Sequence, residues 1–183
     1  MITPSLLERA EALLDACRTR SVKLSIAEGC TGGLVAAVLT AIPGSSDVLE
    51  RGFVAYSNQA KSDLLGVPSE LISDAGAVSE PVAQRMAEGA LTRSDADIAV
   101  SLTGVLGPGG GSSQKPLGLV CFGLAQRGRP ITSERQIFAG ERTAIRMAAA
   151  ERALAMISAA LTSETPNQAQ AQPGVGPPSP RTT

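Results

Sequence analysis

Residues 22–42 read VKLSIAEGCTGGLVAAVLTAI. The opening six, VKLSIA, predict a strand. The closing eleven, GGLVAAVLTAI, are apolar nearly all round and predict a buried helix. Between them, Glu28-Gly29-Cys30-Thr31-Gly32-Gly33 forms a short glycine-rich bridge. A strand that enters a helix through such a turn starts a β-α-β unit, and such units build parallel sheets with helices on their faces.

The rest of the chain continues this alternation. Upstream, Thr3-Pro4 opens a helix, with proline in the first turn where its missing N–H costs nothing. Leu6, Leu7, Ala10, Leu13, Leu14 and Cys17 then recur at helical spacing. Pro43-Gly44 stops the second helix. Residues 52–57 (GFVAYS) predict a strand, and residues 58–65 a short helix ended by Gly66 and Pro68. Ser79-Glu80-Pro81 caps a helix that runs to about Thr92. Residues 97–103 (DIAVSLT) predict a third strand, apolar beyond its start as in a sheet covered on both faces. Residues 117–125 and 131–138 predict a hairpin, and residues 141–161 a long helix. This order predicts an α/β fold: a three-layer α/β/α sandwich on a mostly parallel mixed sheet of about five strands. The domain is expected over residues 1–162. Residues 163–183 turn to Gln, Ala, Pro and Gly, and predict a disordered tail dispensable for folding.

Composition removes whole classes of function. The chain has no histidine. A Ser-His-Asp triad, a histidine-ligated zinc site and a histidine base are therefore excluded. Any acid–base chemistry falls to Lys, Asp, Glu, Tyr or Cys. Net charge is −1, so there is no electrostatic footprint for nucleic acid. Aromatic residues are 2%, too few for a base-stacking platform. Glu8, Arg9, Glu11 and Asp15 interrupt any apolar leader at the start, and no stretch is long enough to span a bilayer. Cys17, Cys30 and Cys121 are odd in number and lack CxxC spacing. They fit reduced thiols in a cytoplasm and no metal site.

Ligands of open α/β sheets bind beyond the carboxyl ends of the strands. Three segments leave strand ends here: residues 28–33, 57–61 and 103–111. In the first, Thr31 can cap the helix, and the glycines Gly32 and Gly33 either let a ligand reach free N–H groups or simply make a tight packing turn. Cys30 is either an activated thiolate near a helix end or a buried thiol. In the third, five glycines in eight residues (Gly104, Gly107, Gly109, Gly110, Gly111) give either mobility or close backbone contact with a ligand; the apolar strand before them favours the ligand. It is not a phosphate-binding P-loop, because Lys115 arrives without the GK[ST] ending. The Gly44-Ser45-Ser46 turn joins these segments only if the fold brings it round. Arg142 and Arg146 open the last helix and suit either a neighbouring carboxylate or an anionic ligand such as a phosphate.

Six stretches in order and in spacing then point to a family: AEGCTGG (27–33), PGSS (43–46), RGFVAYSNQAK (51–61), GAVSEPV (76–82), TGVLGPGGGS (103–112) and KPLG (115–118). Together they resemble the CinA C-terminal-domain family across roughly residues 5–160. Its active members are nicotinamide mononucleotide (NMN) amidohydrolases. The resemblance implies an α/β/α sandwich and a cytoplasmic homodimer or higher homo-oligomer, in stand-alone form. It also implies conversion of NMN to nicotinate mononucleotide and ammonia with no cofactor and no metal. It implies a Ser/Lys dyad, with Ser46 as nucleophile, Lys61 as base and Tyr56 hydrogen-bonded within it. Glu28, Cys30, Thr31, Gly32, Ser45, Thr103, Gly104, Gly107, Gly109 and Gly110 would line the substrate, and Arg142 or Arg146 would meet its 5′-phosphate.

Two positions depart from the family pattern. Gly29 stands where the pattern carries serine, and Gln114 where it carries an acid. If position 29 supplied the nucleophile, this chain would be inactive. Two other readings therefore stand beside the amidohydrolase. One is a non-catalytic module that binds a nucleotide or a protein. The other is an amidase of another substrate with a Glu28, Lys61 and Cys30 trio.

Overall fold

The computed structural model describes residues 2–162, and the expected disorder of residues 163–183 lies outside them. α1 (Pro4–Arg20), β1 (Leu24–Glu28), α2 (Leu34–Thr40) and β2 (Leu49–Val54) come first. α3 (Asn58–Leu65), α4 (Ser69–Ala75) and α5 (Glu80–Thr92) follow. β3 (Ile98–Gly104), β4 (Leu119–Gln126), β5 (Thr132–Ile137) and α6 (Arg142–Thr162) complete the domain. No helix among the described residues is long and apolar enough to cross a membrane.

The five strands lie in the order β2-β1-β3-β4-β5. β1 is parallel to β2 and to β3, and β4 is antiparallel to β3 and β5. The expected mixed sheet with one reversed strand is what forms. β3 alternates its side chains between the two faces. Ile98, Val100 and Leu102 join a core built with α1, α2 and α6. Ala99 points the other way, into a smaller core with Leu65, Val82 and Met86 from α3 and α5. The large core takes the bulky residues, including Phe122, whose ring meets Phe138 edge-on at 6.2 Å. Each fully buried leucine or isoleucine there contributes about 1.5–3 kcal/mol. On the other face small residues bring α5 close: a Cβ at Gly123 would run into the Ala83 carbonyl.

Local chemistry sets the ends. Thr3 Oγ1 accepts from the Leu6 N–H at 3.4 Å and starts α1, and Ser21, at φ 55°, ends it. Ser57 Oγ accepts from the Ala60 N–H at 3.0 Å and starts α3. Ser79 does the same for α5 through Val82.

Three expectations need correction. The second strand begins at Leu49 rather than 52, because its pairing with β1 starts at Leu24↔Leu49. Residues 69–75 form α4, which the sequence reading left out. The helix expected over 32–42 is shorter, because Gly32 (φ 60°) and Gly33 (φ 91°) are left-handed and precede it. It is also not buried all round, since Ala37 is exposed.

Candidate active site

Because β1, β2 and β3 are parallel, their carboxyl ends share one edge of the sheet. A cavity of about 260 Å³ opens there. Gly29 and Cys30 after β1, Tyr56 and Asn58 after β2, and Thr103, Gly104 and Leu106 at the end of β3 line it. Ala77 and Val78 close one side, and Lys61 and Arg142 reach in from α3 and α6. Two larger grooves, about 440 and 390 Å³, run beside α6. Among the described residues none of the buried polar side chains lines either groove, whereas Lys61 and Thr103 line the smaller cavity, which makes it the candidate site.

Lys61 dominates it. The side chain is 4% exposed, yet no carboxylate pairs with it among the described residues. Burial pulls its pKa below the usual 10.5, and Cys30 opposes that pull. Removing an ammonium from water without a counter-charge favours the neutral amine, the form that accepts a proton. The Cys30 thiol is pushed up to about 12, chiefly by burial, with Glu28 adding to the rise. It is a protonated thiol at neutral pH. Burial likewise raises the Cys17 and Cys121 thiols.

Glu28 does something other than hold a ligand. Its carboxylate is 1% exposed and turns back onto the start of α2. Oε2 accepts from the N–H groups of Gly33 (3.0 Å) and Val35 (3.1 Å), and Oε1 from Ala36 (2.9 Å). The helix-end N–H groups expected to receive a ligand are therefore taken by this side chain. Glu28 is a buried internal cap, stabilised by the positive helix end. Thr31 is not the cap: its Oγ1 is buried without a partner among the described residues. Its carbonyl accepts two bonds from Arg146, at 2.6 and 3.2 Å. Arg146 thus pins the 28–33 turn rather than waiting for a phosphate.

Arg142 is placed differently. It donates to Tyr56 Oη and to the Gly107 carbonyl, both at 2.9 Å, and stays exposed at the mouth of the cavity. Tyr56 is 61% exposed beside it. Thr103 Oγ1 donates to the Ala77 carbonyl at 2.8 Å and ties the end of β3 to the opposite wall. Of the loop glycines named from sequence, Gly104 lines the cavity. A Cβ there would come within 3.1 Å of Cys30 Sγ and closer still to Leu119 O, so only glycine fits. Gly107 serves through its carbonyl. Gly109 and Gly110 are exposed outside the cavity, and Gly32 is exposed beside the Tyr56 ring.

Ser45 and Ser46 are not brought to Lys61. They sit in a 3-10 turn, Ser45–Asp47, immediately before β2. Lys61 follows β2, so the six-residue strand separates them. At a rise of 3.3 Å per residue that distance is about 20 Å. The Pro43 carbonyl in this turn accepts from Arg18, at the opposite edge of the sheet. The trio of Glu28, Lys61 and Cys30 also fails, since Glu28 is committed to α2 and Cys30 keeps its proton. Sequence reasoning missed Asn58, Ala77, Val78 and Leu106. All four lie inside the stretches that carry the family resemblance, Asn58 in 51–61, Ala77 and Val78 in 76–82 and Leu106 in 103–112, but only Asn58 has a side chain whose chemistry could have singled it out.

A three-layer α/β domain with an unpaired buried lysine at the carboxyl edge of its parallel strands defines the class. The CinA C-terminal-domain model matches residues 7–161, and the chain belongs to that family. It is 48% identical over 155 residues to the nicotinamide-nucleotide amidohydrolase PncC of Escherichia coli K12, covering 84% of this chain and 93% of that protein. It is 54% identical over 146 residues to a competence-damage inducible protein of Symbiobacterium thermophilum, covering 75% of this chain and 34% of that one. The chain thus spans about a third of the length of the first curated relatives it matches. Among solved structures, the competence/damage inducible protein CihA of Agrobacterium tumefaciens superposes with a TM-score of 0.85 at 43% identity, over 89% of this chain and 99% of that one.

Proposed function

We propose that this chain hydrolyses the carboxamide of a nicotinamide nucleotide, NMN above all, to the carboxylate and ammonia. The observation that carries the reading is Lys61, a buried and unpaired amine facing a cavity of about 260 Å³. Amide hydrolysis needs a base that is neutral while substrate is bound, and desolvation supplies one without histidine. The match to the E. coli amidohydrolase, over 93% of that protein, supports the substrate class. In this reading the carboxamide lies between Gly29, Lys61 and Thr103. The 5′-phosphate lies at the mouth, where Arg142 offers a guanidinium beside Tyr56. Enzyme and substrate then act in cytoplasmic pyridine-nucleotide recycling, as a homo-oligomer.

Of the Ser/Lys dyad, the lysine half fits this cavity. Ser46 reaches it only through a movement of about 20 Å or from a second chain. Gly29 favours a second reading, because its position beside Lys61 holds no hydroxyl. In that reading the domain binds the nucleotide without turning it over. Calorimetric titration with NMN, alongside an ammonia assay on the same sample, separates the two. Binding with ammonia release supports the enzyme, and binding without release supports the module.

A further inference from the structure

We infer that the attacking nucleophile in this chain is a water molecule activated by Lys61 in the space beside Gly29, so that hydrolysis takes place without an acyl-enzyme. The inference rests on the amidohydrolase reading and adds the identity of the nucleophile.

Each protein group that could compete is accounted for by its position. Ser46 lies at the far edge of the sheet. Cys30, with its thiol near 12, holds thiolate at only about one part in 10⁵ at neutral pH. The Thr103 hydroxyl donates its single proton to the Ala77 carbonyl, so it cannot pass that proton to Lys61 without breaking a bond at 2.8 Å. Tyr56 Oη lies against the Arg142 guanidinium at the exposed mouth. At Gly29 there is no side chain. A carbon placed there would stand 3.1 Å from the Leu102 carbonyl oxygen and 3.7 Å from that of Ala55. The Leu102 carbonyl already accepts from the Gly29 N–H at 2.8 Å, which leaves the Ala55 carbonyl as the acceptor near the wall that Gly29 and Lys61 line. Of a water's two protons one can then go to the Ala55 carbonyl and the other to the neutral Lys61 amine, and the second is the one that catalysis removes.

The chemistry balances without any further reagent. Neutral Lys61 takes one proton from the water, whose oxygen bonds to the carboxamide carbon. The tetrahedral oxyanion collapses, the C–N bond breaks, and the Lys61 ammonium returns its proton to the departing nitrogen. One water is consumed, the acid and one ammonia leave, and Lys61 is neutral again.

The test uses hydroxylamine as a competing nucleophile with two substrates, NMN and the methyl ester of nicotinate mononucleotide. An acyl-enzyme would be common to both and would partition between acid and hydroxamate in one fixed ratio. Direct attack occurs while the leaving group is still attached. The expected result with wild type is no hydroxamate, or shares that differ between amide and ester. An identical, non-zero share from both would overturn the inference while leaving the amidohydrolase standing. Absence of ammonia from NMN, by contrast, refutes the amidohydrolase and the inference with it. Gly29→Ser places a hydroxyl on the cavity wall; a shift of that variant to one common share shows that the assay detects an acyl-enzyme when one forms.

Discussion

Replacing Glu28 should damage the fold rather than merely weaken substrate binding. The carboxylate accepts three N–H bonds at 2.9–3.1 Å, from Gly33, Val35 and Ala36, at a site closed to water. A hydrogen bond to a charged group nets about 1.5–3 kcal/mol, and loss of a helix cap typically costs about 1 kcal/mol. The bonds are not additive, because burying the carboxylate itself carries a desolvation cost. Glu28→Ala should therefore lose about 3 kcal/mol, most of it from the stranded N–H groups of Val35 and Ala36. For a chain of this size one kcal/mol shifts the melting temperature by about 2–4 °C, giving a fall of about 6–12 °C. Glu28→Gln keeps one carbonyl acceptor and should lose about half as much. Thermal unfolding followed by far-ultraviolet circular dichroism at pH 7 reads both. If Glu28→Ala melts within roughly 2 °C of wild type, and KM for NMN rises instead, the carboxylate is a substrate ligand and the capping argument is wrong.

Lys61 should set the ascending limb of the pH profile: kcat/KM rises with pH to a midpoint below 10.5, and the limb vanishes in Lys61→Ala. Because the folded pKa lies below the unfolded one, the folded state sheds its proton first. Stability attributable to Lys61 therefore grows as pH rises from the folded pKa toward 10.5 and is lost as pH falls through it, so Lys61→Met should flatten that rise in a melting series. Ser46→Ala should leave turnover of NMN within about twofold of wild type, since a twofold change is only a few tenths of a kcal/mol; a loss of orders of magnitude would place Ser46 in the active site of a second chain. Iodoacetamide at pH 7 should leave activity intact, because Cys30 holds its proton; rapid inactivation that NMN prevents would contradict this.

Much of the architecture was legible in residues 22–42 and 97–103, because buried parallel strands and their helices carry long apolar runs. α4 was not. Its seven residues bury only Ile72 and lie between Pro68 and Gly76, which read as a plain loop. β2 was misplaced by three residues because it is an edge strand whose second and third residues are Glu50 and Arg51, and their polarity hides the strand. In the site, the segments 57–61 and 103–111 were legible as strand exits, while the roles of Lys61 and Thr103 within them came from the family resemblance. The distance of Ser46 from Lys61 was in principle legible too: a turn after the helix of a β-α-β unit lies at the edge opposite to the strand ends. The role of Glu28 was not legible. A carboxylate at the end of a strand looks the same in sequence whether it faces a ligand or folds back onto its own helix, and only the backbone course of Gly32 and Gly33 decides.

The central claim, that a desolvated Lys61 drives hydrolysis of a nicotinamide nucleotide, is tested most directly by ammonia release from NMN by wild type and Lys61→Ala. The account predicts one ammonia per nicotinate mononucleotide formed by wild type and a fall of about 10²–10⁴-fold in kcat in the variant, the usual contribution of a positioned base. Wild-type protein that binds NMN and releases no ammonia, or a Lys61→Ala variant as active as wild type, would contradict it.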